Sequence, residues 1–184
     1  MGCIPNLVDN GGIRFVLPIG RYLATLDEIE ARFVPKGDAN RREIFDRFLA
    51  VLDVAKEMFG SICSVWVGGS FVTSEISPHD IDIVFLVRPE DFEHAYATEY
   101  GKLFLHLLCT KHGFDEKIDA FFFVIMPSEA EWDLYAETDI GRYLNIRGYW
   151  DRLWSQSRFA DPHDQRAFFP SAGYLEVVID GFIR

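Results

Sequence analysis

Apolar residues along the chain follow two rhythms. Between Asn40 and Phe59 they recur every three or four positions, as Ile44, Phe45, Phe48, Leu49, Leu52, Ala55 and Phe59. That spacing lines one face of a helix, and Gly60 is a suitable stop. A shorter helix is predicted from Thr25, where Thr25 and Glu28 have capping-box spacing. Ile29 and Phe33 continue its apolar face, and Pro35-Lys36-Gly37-Asp38 breaks it. Three other stretches are strongly apolar and rich in β-branched or aromatic residues: Ser64–Phe71, Asp80–Arg88 and Lys117–Met126. These read as buried strands, the third ended by Pro127. Pro89-Glu90-Asp91 opens a helix to about Lys111, disturbed at Gly101. Ser128-Glu129-Ala130-Glu131 opens another, and helical spacing resumes near Ile140–Trp154. Asp161–Ala172 reads as loop, Tyr174–Ile179 as a short late strand, and residues 1–20 as irregular. There is no internal repeat.

These elements predict an α/β (α+β) fold: a small mixed β-sheet backed by helices, with N-terminal helices and a short C-terminal helical and strand extension. The 184 residues suit one domain, here 1–184, with a core of about 40–126 and an extension of about 127–184. Hydrophobic residues make up 49% of the chain, enough for a sizeable core. No apolar run approaches the roughly 20 residues that span a bilayer, and the first ten residues lack the basic and apolar regions of a signal peptide. Cys3, Cys63 and Cys109 are odd in number and unpatterned, as expected of reduced thiols in a cytoplasmic protein without membrane association.

Charge is uneven. Residues 1–138 hold 12 Lys/Arg against 23 Asp/Glu, whereas residues 139–184 hold 6 of each. Such an acidic chain is poorly suited to non-specific nucleic-acid binding, which needs Lys and Arg on phosphates. Arg142, Arg147, Arg152 and Arg158 alternate with Tyr143, Tyr149, Trp150 and Trp154. They read first as a helix with buried aromatics and a solvated arginine rim, and second as a stacking and phosphate-binding surface.

The candidate chemistry lies in Val65–Val87. Gly68-Gly69-Ser70 forms a turn after one predicted strand, and Asp80 and Asp82 stand at the head of the next. Residues two apart in a strand share a face, so the two carboxylates project together and repel unless a proton or cation intervenes. Glycines allow close backbone approach to an anion. Asp119, in the apolar run KIDAFFFVIM, becomes a third carboxylate if that strand neighbours Ile81–Val87. Oxygen ligands of this kind suit magnesium together with substrate phosphates.

This combination resembles the DNA polymerase beta-like nucleotidyltransferase superfamily: Gly-Gly-Ser, then Asp-Ile-Asp, then a later apolar-Asp-apolar strand. The resemblance covers roughly Ser64–Met126. It implies a nucleotidyltransferase fold, nucleotide binding by Gly68, Gly69 and Ser70, and metal binding and catalysis by Asp80, Asp82 and Asp119. The implied cofactor is Mg2+ or Mn2+. The implied reaction moves a nucleoside monophosphate from a nucleoside triphosphate to an acceptor hydroxyl on a protein side chain, an RNA end such as that of tRNA, or a small molecule. The head PIGRYLATLDEIEARFVP more loosely resembles small bacterial nucleotidyltransferase-like proteins of unassigned substrate. Short bacterial members of the superfamily occur in toxin–antitoxin or phage-defence pairs, so the resemblance admits a cognate partner protein. The alternative is a non-catalytic nucleotide- or partner-binding module that keeps the fold. His79, in the turn before Asp80, is a further phosphate-side candidate. Cys109 and His112 are spaced to share a helix face but supply only two ligands, too few for a zinc site.

Overall fold

In the computed structural model, residues 4–125 and 137–182 are described, with the side chains of 137–144 left aside. The expected helix start at Ser128 lies outside the described residues. The chain forms seven strands and five α-helices among those residues. Two short strands, β1 (Val8–Asp9) and β2 (Phe15–Val16), pair antiparallel. They occupy the head expected to be irregular.

A five-stranded mixed sheet organises the rest. Its members are β3 (Gly20–Leu23), β4 (Ser64–Gly68), β5 (Ile81–Val87), β6 (Ile118–Val124) and β7 (Gly173–Val178), in the order β3-β7-β4-β5-β6. The β3–β7 and β5–β6 pairs are parallel, and β4 is antiparallel to both neighbours. The last strand therefore sits inside the sheet. Residues 20–23 and 173–178 extend the sheet beyond the stretch 40–126.

The helices α1 (Leu26–Phe33), α2 (Ala39–Phe59), α3 (Pro89–Tyr96) and α4 (Glu99–Leu108) carry the apolar side chains that cover one sheet face. Thr25 caps α1: its hydroxyl accepts from the Glu28 N–H, and the Glu28 carboxylate accepts from the Thr25 N–H. Asp38 caps α2 by accepting from the Arg41 N–H, and Gly60 ends α2 at φ 78°, a conformation that favours glycine. The single helix expected from Pro89 is two. It breaks at Ala97–Thr98, and a side chain on Gly101 would collide with the Ala95 carbonyl.

Alternation along β5 divides its residues. Ile81, Ile83, Phe85 and Val87 join the helix-side core, whereas Val84 and Leu86 face a second cluster with Trp66, Phe123 and Tyr174. That second face is covered in part by α5 (Glu137–Trp154), through Trp150 and Trp154. Phe121 packs on Trp150 at 4.8 Å between ring centroids. Among the described residues, no helix is long and apolar enough to cross a membrane.

Candidate functional site

The strand β4 ends at Gly68, and the chain reverses through a short 3-10 turn at Ser70–Val72. Thr73 closes this turn, its N–H and its hydroxyl both donating to the Ser70 carbonyl. Gly69 adopts φ 71°, and a Cβ there would overlap the Asp82 carboxylate. Glycine is thus required at this position for two reasons: the backbone is left-handed, and the carboxylate lies against it. Gly68 differs. A Cβ on it would meet the Trp154 indole, and Gly68 is absent from the lining of the cleft that Gly69 and Ser70 help to form.

Register brings the acids together. Asp82 pairs with Gly68 on one side and with Asp119 on the other. Both carboxylates stand on the sheet face opposite Ile81 and Ile83. Asp80 lies just before β5 and lines the same cleft as Asp82, Asp119, Gly69 and Ser70. The cleft has a volume of about 810 Å³, within the range of small-molecule sites. Of the residues singled out from sequence, Gly69, Ser70, His79, Asp80, Asp82 and Asp119 therefore meet in one cavity, and Gly68 lies behind it.

The electrostatics reflect crowding. Burial raises the Asp82 carboxyl to about 7, helped by the negative charges of Asp80 and Asp119, while Lys111 and Arg158 oppose the rise. Asp119 is 8% exposed, and its Oδ1 is buried without a hydrogen-bond partner. A buried acceptor in that condition is costly unless something donates to it or coordinates it. These carboxylates are the residues able to take a hard divalent cation. Among the described residues, no three His, Cys, Asp or Glu side chains already stand in a metal-holding group.

Three cationic or imidazole groups border the acids. Lys111 and His79 line the cleft. His112 Nε2 lies 3.7 Å from Asp80 Oδ2, and His112 takes φ 51°, an uncommon conformation for a residue with a side chain. Sequence spacing did not mark Lys111 or His112 as site residues. The available signal was topological: they lie in the loop leading into β6, whose first residues carry Asp119.

The opposite wall comes from both chain ends. Asn10 Nδ2 donates to Ser157 Oγ and to the Ser171 carbonyl, each at 2.7 Å, and the Ile13 N–H donates to the Arg158 carbonyl. Arg14 forms an ion pair with Glu75 across to the loop after Ser70. Of the C-terminal arginine and aromatic series, Arg158 and Trp154 reach the cleft. Trp150 packs on the sheet, and Tyr149 and Arg152 are exposed. The side chains of Arg142 and Tyr143 lie outside the described residues. The first reading of that series, buried aromatics with a solvated arginine rim, fits Trp150, Trp154, Arg147 and Arg152; Tyr149 departs from it by being exposed, and Arg158, also exposed, lies beyond the helix at the cleft.

Residues 12–178 match the model of a family of unknown function, DUF6932, and the chain belongs to that family. No curated protein and no solved structure matches it.

Proposed function

For this member of DUF6932, we propose a divalent-cation-dependent nucleotidyltransferase with a polymerase beta-like fold. Its reaction moves a nucleoside monophosphate from a nucleoside triphosphate to an acceptor hydroxyl on a protein side chain, an RNA end or a small molecule. The observation that carries this reading is one register. Gly68, Asp82 and Asp119 stand side by side on adjacent strands, and the Gly69 turn lies directly against Asp82. That arrangement would put a phosphate-binding turn next to paired carboxylates.

Residues of the chain divide the work. The Gly69 backbone leaves room for a phosphate to approach the turn, and the Ser70 hydroxyl donates to a terminal phosphate oxygen. Lys111 and Arg158, already acting on Asp82 through space, offset triphosphate charge. Asp119 holds the acceptor hydroxyl by accepting its hydrogen bond and draws off its proton as the oxygen attacks the α-phosphorus. Pyrophosphate departs toward the Ser70 turn. Positioning and electrostatic complementarity supply most of such catalysis.

Mg2+ or Mn2+ fits the site on chemical grounds. The donors are carboxylate oxygens, Asp119 Oδ1 is an orphaned acceptor, and Asp82 is raised by burial and then by its neighbours' charge. Asp80, Asp82 and Asp119 would hold it. When bound, the cation supplies positive charge that stabilises the phosphates during transfer.

The test is transfer of a radiolabelled α-phosphate from each of the common ribonucleoside triphosphates, with cell extract as the acceptor source. Labelled product that disappears with chelator and with Asp82→Asn supports the reading. Magnesium-dependent binding with no labelling and no pyrophosphate release would replace it with a non-catalytic nucleotide-binding module. A cognate protein expressed alongside, an RNA end and small molecules are each supplied as acceptors.

A further inference from the structure

The loop from Phe71 to His79 joins the two chemical halves of the cleft, with Ser70 at one end and Asp80 at the other. On one side Ser74 exchanges hydrogen bonds with Phe15 of β2, its N–H donating to the Phe15 carbonyl at 3.0 Å and its Oγ accepting from the Phe15 N–H at 2.9 Å. The first turn of α2 holds it from behind. Arg41 is 5% exposed, and its guanidinium donates to four carbonyls. Nη1 reaches Phe33 O at 3.0 Å and Phe71 O at 2.7 Å. Nη2 reaches Thr73 O at 3.2 Å and Glu75 O at 2.5 Å. Alternate carbonyls of the loop are thus turned away from the cleft and gathered on one side chain. Beside it, Asn40 Nδ2 donates to Pro78 O at 2.8 Å, and Asn40 Oδ1 accepts from Lys117 Nζ at 3.2 Å. Lys117 immediately precedes β6, the strand of Asp119, and its carbonyl accepts from the Ile81 N–H.

We infer that Arg41 and Asn40 are positioning residues that set the spacing between the Gly69–Ser70 phosphate turn and the Asp80, Asp82 and Asp119 cluster. The inference rests on the nucleotide reading of the cleft. Filling space does not explain Arg41, because an apolar side chain of similar volume occupies a core at lower cost than a buried charge. The arginine contributes a rigid planar fork with five N–H donors. That fork can span carbonyls from the end of α1 and from three positions of the loop together. A lysine ammonium carries three donors at a single point and cannot span them. Capping ties the fork to its place: Asp38 accepts from the Arg41 N–H at 3.0 Å and starts α2 where the loop passes. Misplacement of a phosphate-binding turn by even a fraction of an ångström weakens contacts that depend on several donors converging.

The test compares Arg41→Lys, Asn40→Ala and, as a control on the exposed face of α2, Arg42→Gln. Each is titrated by calorimetry with ATP and with AMP in magnesium, well below its melting temperature. Arg41→Lys should weaken ATP binding at least tenfold while changing AMP binding less than twofold. Asn40→Ala should weaken ATP binding two- to fivefold, and Arg42→Gln should match the parent. This selective loss of the terminal-phosphate contribution is what a merely structural role would not produce. Folded Arg41→Lys or Asn40→Ala protein with parental affinity for both nucleotides would overturn the inference while leaving the nucleotide reading intact. If Arg41→Lys does not fold, Asn40→Ala decides alone, and parental ATP affinity there overturns the inference. A parent that binds no triphosphate overturns the nucleotide reading and this inference with it.

Discussion

Replacing Asp82 with Asn should stabilise the unliganded protein at pH 8, although it removes a central site residue. In the folded chain the Asp82 carboxyl is raised from an ordinary 3.8 to about 7, chiefly by burial and then by the charges of Asp80 and Asp119. Between those values the folded state holds a proton that the unfolded chain has released. Parental stability therefore falls as pH rises through that interval, and the loss is complete above about 7. At about 1.4 kcal/mol per pH unit, the interval corresponds to an upper bound of about 4 kcal/mol. Asp82 is half-buried at an open cleft, and solvent screening brings the expected gain to about 1–2 kcal/mol. An asparagine amide can also donate to its register neighbour Asp119, whose Oδ1 lacks a partner. For a chain of this size the gain is a rise in melting temperature of about 3–6 °C. Thermal unfolding of parent and variant should be followed from pH 5 to pH 8 in chelator, then with magnesium. The gap should open as pH rises in chelator and narrow with magnesium, because the cation binds only the parental carboxylates. A variant no more stable than the parent at pH 8 in chelator would refute the electrostatic account of this cluster.

Other substitutions separate the parts of the site. Gly69→Val should abolish magnesium-dependent triphosphate binding by calorimetry, because the position has φ 71° and its Cβ would enter Asp82; parental affinity in a folded variant would mean that the turn does not meet phosphate. Ser70→Ala should weaken triphosphate binding about fivefold, the loss of one hydrogen bond of about 1 kcal/mol, and unchanged affinity would remove the hydroxyl from the phosphate contacts. Asp119→Asn should leave triphosphate affinity nearly parental and suppress labelled α-phosphate transfer, since its contribution is made mainly in the transition state. Full transfer by that variant would assign the third carboxylate a structural role.

Local pattern made much of this architecture legible. The Thr25 capping box, the α2 stripe from Ile44 to Phe59 and the alternation of β5 each follow from side-chain spacing alone. Strand periodicity also put Asp80 and Asp82 on one face, but their meeting with Asp119 and the Gly69-Ser70 turn was expected from the family resemblance and depends on the pairing of β5 with β6 and with β4. What local pattern could not supply was long-range pairing. Gly20–Leu23 is too short to announce itself as a strand and exists through its parallel register with β7. The break between α3 and α4 depends on Gly101 meeting the Ala95 carbonyl. Arg158 reads as a rim residue in the sequence, and its place in the lining of the cleft depends on a segment beyond α5 that pairs through its carbonyl with Ile13 of the N-terminal hairpin. Arg41 gave no signal at all, since a buried arginine on a helix face looks like any surface charge until its four carbonyl partners are known.

The central claim is that one cleft joins a phosphate-binding turn to a carboxylate cluster completed by a divalent cation. Its most direct test is calorimetric titration of the parent protein with ATP, GTP, CTP and UTP, in magnesium and in chelator. The account predicts saturable binding of at least one triphosphate in magnesium and affinity at least tenfold weaker in chelator. Equal affinity in both conditions, or no binding of any triphosphate with magnesium present, would contradict it.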